Sequence, residues 1–186
     1  DALMEPEEVA AAFDHLEQVG KVRHFGVSNQ NPMMVELLKT AVKQPLKINQ
    51  LQLSAAFTPS FEAGFHVNME GPKSAVRDGS VFEYCRLTDT VIQAWSVLQH
   101  GYFKGNFVGR EEFAALNHVL NDLAKKYQVT PTAIALAWVL RYPGKMQAVI
   151  GTTKPQHVLE AGKATTVTLT RKEWYQIYLA AGNDLP

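Results

Sequence analysis

The chain has 186 residues, 46% hydrophobic and 19% charged, which excludes a disordered segment and leaves enough apolar material for one ordinary core. Its 18 Lys and Arg balance 18 Asp and Glu, so no global field exists to hold nucleic acid or an anionic membrane, and partners are expected to be small or local. The single Cys85 leaves no intramolecular disulfide and no multi-cysteine zinc site, and there is neither a signal peptide nor an apolar run long enough to span a bilayer, so a cytoplasmic location is expected.

Residues 6–19 place Val9, Phe13, Leu16 and Val19 at helical spacing, with acidic residues near the start and Gly20 at the end, which predicts a helix. A strand follows over 22–27. Asn31 before Pro32 is a cap with a first-turn proline, opening a helix to about Val42. The next strand is 48–53. After a long loop, residues 80–87 read as helix, and 90–95 as a strand buried on both faces. Helices are expected over 111–127 and, opened by Thr130-Pro131, over 131–140, followed by a strand at 147–150. Two helices close the chain: 155–165, with Thr153 suited to cap it, and one containing 174–180, opened by a Thr170-x-x-Glu173 box. Alternation of this kind demands parallel strands joined by right-handed crossovers, in an α/β fold; periodicity does not choose between an open sheet and a closed barrel.

The chemistry concentrates at the ends of these strands, where ligands sit in α/β enzymes. Gly26-Val27-Ser28-Asn29 delivers two polar side chains to the end of the first strand, Asn49-Gln50 marks the second, Ala94-Trp95-Ser96 the third, and Gly151-Thr152-Thr153-Lys154-Pro155 follows the fourth. With these stretches the chain resembles the aldo-keto reductase family, whose members reduce carbonyls with NADPH on a (β/α)8 TIM barrel. Asp1-Ala2-Leu3-Met4 followed by Pro6-Glu7-Glu8-Val9 looks like the family's segment after the fourth strand. The resemblance therefore implies that residues 1–186 form a single domain, the carboxyl-terminal half of the barrel with strands five to eight. The family's catalytic Asp, Tyr, Lys and His would lie in the other half, and no residue here is expected to be catalytic.

By the same resemblance, Ser28, Asn29 and Gln50 would hydrogen-bond the nicotinamide carboxamide, and Trp95 would stack on the ring. Ser96 and Leu98 would begin a pyrophosphate-contacting loop, continued by the glycine-spaced segment 101–109, although Val97 and Gln99-His100 depart from the family's usual Pro and Gly. Gly151, Thr152, Thr153 and Lys154 open a helix, an anion site suited to the 2′-phosphate of NADPH. His157 stands where the family commonly has arginine, and an imidazole offers no guanidinium fork and only partial charge near neutral pH, which predicts weaker, more pH-dependent discrimination for NADPH. Glu160 would meet the adenine amine, and Ala161 replaces an asparagine often found there.

The partners implied are a small-molecule carbonyl substrate and either an amino-terminal half or a second copy of the chain, since four strands would leave two edges and an apolar inner face uncovered. The loop 55–79, with His66, Met69, Phe57, Phe61 and Phe65, would border the substrate pocket. None of the six tyrosines has a lysine and histidine placed to make it an acid. Met33, Met34, Trp138 and Trp174 read as packing residues and Cys85 as a buried small hydrophobe, while His15, His24 and His118 form no ligand spacing, so no metal site is expected. A non-catalytic, dinucleotide-binding sensor subunit of the same family remains the alternative to the reductase.

Overall fold

The computed structural model describes residues 4–61, 80–101 and 104–183. Helix α1 (Pro6–Gln18) precedes β1 (Phe25–Ser28), α2 (Pro32–Lys39), β2 (Leu46–Gln52), α3 (Val81–Leu87), β3 (Val91–Trp95), α4 (Ala114–Tyr127), α5 (Pro131–Leu140), β4 (Met146–Ala148), α6 (Pro155–Gly162) and α7 (Arg171–Ala180). The four strands form one parallel sheet in the order β1-β2-β3-β4. That order never reverses, and successive right-handed crossovers without a reversal put their helices on one face of the sheet, as in a segment of a (β/α)8 barrel rather than a doubly wound sheet.

Burial follows the pleat. Leu51, Leu53, Ile92 and Ala94 lie in the main core beneath α4, α5 and α7, while Ile48, Gln50, Gln52, Val91, Gln93 and Trp95 alternate onto the opposite face and are only half-buried. The strand expected to be buried on both faces therefore covers one face only. The other face is mixed where an apolar one was expected: Gln50, Gln93 and Gln147 occupy one cross-strand row of it, beside Ile48, Val91 and Trp95. A second cluster, Phe25, Val35, Leu38, Val42 and Leu46, joins α1 and α2 to the β1 edge, with Phe13 stacked on Phe25 at 4.3 Å.

Local signals fixed most helix starts. Asn31 Oδ1 accepts from the Met34 amide at 2.8 Å, Thr130 Oγ1 from Ala133 at 3.2 Å, and Thr170 with Glu173 forms the reciprocal capping box. At α6 the cap is Lys154 rather than Thr153; it is the Thr152 hydroxyl that accepts from the Lys154 amide, at 3.2 Å. Strand β1 starts three residues later than expected, since the amides of Lys21 and Val22 turn back to the Leu16 carbonyl and close α1. Helix α2 stops at Lys39, and Met33 is 71% exposed, outside the core, because α2 buries only Val35 and Leu38.

Trp138 and Trp174 stack 4.8 Å apart at 9° and exchange indole-to-carbonyl hydrogen bonds, as core packing requires. Phe61 joins them and Phe82 in the core, away from the strand ends, so it does not serve the substrate pocket expected of it. His66, Met69, Phe65 and most of their loop lie outside the described residues. Cys85 is buried, and that burial pushes its thiol up to about 11, which removes it as a nucleophile. Among the described residues, no helix is long and apolar enough to cross a membrane, and no group of His, Cys, Asp and Glu gathers as a metal site.

Candidate active site at the strand carboxyl ends

The chain leaves two of the four strands through strained backbone. Asn29, immediately after β1, and Ser96, immediately after β3, are non-glycine residues at φ 52° and φ 51°. Left-handed conformations cost a residue with a Cβ about 1 kcal/mol or more, least for asparagine, and persist where the surroundings impose them. Both turn the chain sharply aside, so the next residues line the end of the sheet instead of extending it.

At the β1–β2 end, Ser28 pairs in register with Gln50, and its Oγ donates to the Gln50 carbonyl at 3.1 Å. The Asn29 amide donates to the same carbonyl at 3.0 Å. These three residues are thus brought together, as the sequence implied. Glycine at position 26 is what permits the approach: a Cβ there would sit 2.7 Å from both Cβ and O of Ile48. Asn49, on the helix side of β2, spends its amide on the Gln30 carbonyl at 2.8 Å and so fixes the turn that follows Asn29.

A second group forms after β3 and β4. Trp95, Ser96, Leu98, Gly151, Thr152, Thr153, Lys154, His157 and Glu160 line one cleft of about 760 Å³. Ser28, Asn29 and Gln50 are not in its wall; they stand at the neighbouring strand ends of the same sheet edge. The Thr152 hydroxyl lies 3.3 Å from His157 Nδ1, and one Glu160 oxygen accepts from Gln156 at 3.1 Å. Lys154 and His157 are exposed, so both cationic groups are available to an anion at the start of α6.

The far wall of the cleft comes from a loop that sequence reasoning only outlined. Phe107 donates to the Leu98 carbonyl at 3.0 Å and His100 to the Gly105 carbonyl at 3.3 Å, so residues 98–100 and 105–107 run back alongside each other as the two arms of a narrow hairpin, and Asn106 and Val108 face the cleft. Asn117 of α4, 8% exposed, pins it: Oδ1 accepts from the Gly109 amide at 2.8 Å, and Nδ2 donates to the carbonyls of Phe107, Arg110 and Phe113 at 3.0, 3.0 and 3.1 Å. An asparagine inside a helical pattern carries no local mark of this role.

Equally unannounced is a chain of glutamine amides. Gln50 Nε2 donates to Gln93 Oε1 at 3.2 Å, and Gln93 Nε2 to Gln147 Oε1 at 2.9 Å. Two residue pairs further along, Gln52 sits in register with Trp95, and its Nε2 is buried with no acceptor among the described residues. A buried donor of that kind costs free energy until something polar meets it.

Among the described residues no tyrosine lines the cleft. Tyr84 and Tyr127 do have lysine neighbours, with Lys39 Nζ 3.4 Å from the Tyr84 hydroxyl and Lys126 Nζ 5.1 Å from the Tyr127 ring centre. Their hydroxyls, however, donate to Glu36 and Glu173, and burial together with those carboxylates raises both pKa values. Burial also raises Tyr142. Tyr84 and Tyr127 lie on α3 and α4 and Tyr142 in the turn after α5, and none lines the cleft.

A parallel sheet of unbroken order with a cleft at its carboxyl ends is the layout of a (β/α)8-barrel enzyme. The family profile for the aldo/keto reductase family matches residues 1–180, and the chain belongs to that family of oxidoreductases. It is 34% identical to the oxidoreductase YdhF of Escherichia coli and 33% identical to a 6-dehydroglucose reductase of Agrobacterium fabrum, in each case over 100% of this chain and 56% of the relative. The chain thus spans about half the length of these curated relatives. Among solved structures, the thermostable aldo-keto reductase Tm1743 superposes with a TM-score of 0.71 at 22% identity over 97% of this chain and 56% of its own. An aldo-keto reductase from Klebsiella pneumoniae, in complex with NADPH, superposes at 0.70 with 20% identity over 94% of this chain and 53% of its own. Those two likenesses show the fold.

Proposed function

We propose that this chain forms the cofactor-binding half of an NADPH-dependent reductase of aldehydes or ketones, with residues 1–186 as one domain. The observation that carries the proposal is the cleft that sets Trp95, Ser96 and Leu98 against Gly151–Lys154, His157 and Glu160. The donor set fits the dinucleotide at both ends. Exposed Lys154 and His157 with the α6 amides suit a phosphate, and the hydroxyl and amides of Ser28, Asn29 and Gln50 suit a carboxamide. A half-buried indole at Trp95 suits a flat ring between them. Naming of one relative as a 6-dehydroglucose reductase and the NADPH bound to one structural neighbour are consistent with the reading.

The bound cofactor would supply hydride. In this proposal Ser28, Asn29 and Gln50 orient the nicotinamide so that one face is presented, Trp95 covers the other and excludes water from it, and Lys154, Thr152, Thr153 and His157 hold the distal phosphate. Gly151 lets the chain pass close to that phosphate, and Glu160 accepts from the adenine amine. No described tyrosine lines the cleft, so the acid is proposed to come from polypeptide that completes the barrel. The outer edges of β1 and β4, which pair with no further strand among the described residues, and the face between them are where that polypeptide, an amino-terminal half or a second copy, would pair.

Trp138 and Trp174 are buried in the core, so Trp95 is the indole a ligand in the cleft would quench. NADPH is expected to quench this fluorescence saturably, NADH more weakly, and Trp95→Leu to abolish the change. Turnover of simple aldehydes is expected only from a protein in which the sheet is completed. Turnover by the 186-residue chain alone would refute the placement of the acid, and absence of NADPH binding would refute the function. Saturable binding with no turnover by a completed barrel would favour the sensor subunit.

A further inference from the structure

We propose that Gln93 is a positioning residue that locks the side-chain amide of Gln50 in one of its two orientations, an inference that rests on the cofactor reading of Gln50 given above. The two ends of a glutamine amide have nearly the same shape, so an unsupported one turns over at little cost and offers a ligand a donor and an acceptor interchangeably. Gln50 is not unsupported. Its main-chain carbonyl is held from the β1 side by Ser28 Oγ and the Asn29 amide, and its side chain from the β3 side by Gln93 Oε1 at 3.2 Å. Gln93 is itself held, because its Nε2 donates to Gln147 Oε1 at 2.9 Å.

All the rungs run the same way, nitrogen to oxygen from β2 to β4, on residues that pair in register. Turning Gln50 over would set its Oε1 against Gln93 Oε1 unless Gln93 and Gln147 turned with it, and each rung polarises the next. Gln50 therefore presents Oε1 and its one remaining N–H in a fixed arrangement. Gln93 and Gln147 are tied to Gln50 by this chain of amides, so they act through Gln50.

The test uses the 186-residue chain and the variants Gln93→Met, which keeps length and removes the amide, Gln147→Met, and Gln93→Glu, which keeps an acceptor for Gln50. By ¹⁵N NMR, the Gln50 side-chain amide proton that donates to Gln93 is expected downfield of its free-glutamine position in the parent, back at that position in Gln93→Met, less affected in Gln147→Met and downfield again in Gln93→Glu. Unchanged Gln50 resonances in Gln93→Met would overturn the inference whether or not a cofactor binds. In titrations, Gln93→Met is expected to weaken NADPH about fivefold, the scale of one neutral hydrogen bond, and to leave adenosine 2′,5′-bisphosphate, which lacks the nicotinamide, unchanged. Equal weakening of both ligands, or of neither, would overturn the positioning role. A parent chain that binds neither ligand would instead overturn the proposed function, and the NMR arm would still decide whether Gln93 holds Gln50.

Discussion

Replacing Asn117 by leucine, which keeps the side chain's size, removes the pin of the cleft's far wall. The two Nδ2 hydrogens serve three carbonyls and Oδ1 serves the Gly109 amide, so about three hydrogen bonds are lost. At roughly 1 kcal/mol net each, that is ~3 kcal/mol. Part of it is recovered, because Arg110 and Gly109 are exposed and their main-chain groups rehydrate when the hairpin loosens. The buried Phe107 carbonyl recovers least. A global loss of about 2 kcal/mol follows, which at a urea slope of about 2 kcal/mol/M lowers the unfolding midpoint by ~1 M. Hydrogen exchange at Gly109 should accelerate in parallel, and NADPH should bind more weakly because Asn106 and Val108 no longer wall the cleft. A urea midpoint within about 0.2 M of the parent, with Gly109 exchange unchanged, would refute the view that this one side chain builds the loop.

Three further outcomes are expected. His157→Arg should raise NADPH affinity about fivefold, the worth of an exposed charge-assisted contact, and leave NADH unchanged; no gain would count against an anion site at α6. Gly26→Ala drives a Cβ to 2.7 Å from Ile48 and should cost about 1–3 kcal/mol in denaturant unfolding; a neutral result would show that β1 shifts freely. Burial works to raise the Glu173 carboxyl, but hydrogen bonds from Lys126, Thr170 and Tyr127 outweigh it and pull it from 4.5 down to about 2. Because the folded value is depressed, its stabilisation is present above pH 4.5 and is lost as pH falls toward about 2. The shift corresponds to about 3 kcal/mol, reduced to ~2 kcal/mol by solvent at the exposed Lys126 ammonium. Glu173→Gln should therefore be destabilised by that amount at pH 7 and by less than half of it near pH 3; an equal gap at both pH values would contradict the assignment.

Features written in one local window were legible in the sequence. Asn31, Thr130 and the Thr170–Glu173 box announce their helices because a cap is a contact within three residues, and the polar strand ends announce the candidate site for the same reason. What depends on register was not legible. Gln93 and Gln147 sit inside short apolar runs, and only the pairing of three strands sets their amides in line with Gln50. The face that carries this glutamine row was for that reason read as apolar throughout. Asn117 looks like any polar helix residue until the 98–113 loop is folded onto it, and Phe61 looks like a pocket lining until the tryptophan stack is assembled beside it. The late start of β1 has a similar origin, since the backbone of Lys21 and Val22 is claimed by the end of α1 rather than by a neighbouring strand.

The central claim is that the carboxyl ends of four adjacent strands grip one dinucleotide, and a ¹⁵N NMR titration of the chain with NADPH tests it most directly. The account predicts saturable shifts at two separated places, Ser28, Asn29 and the Gln50 side chain for the nicotinamide, and Thr152, Thr153 and His157 for the distal phosphate. Saturable binding that leaves both sets of resonances unmoved would contradict it.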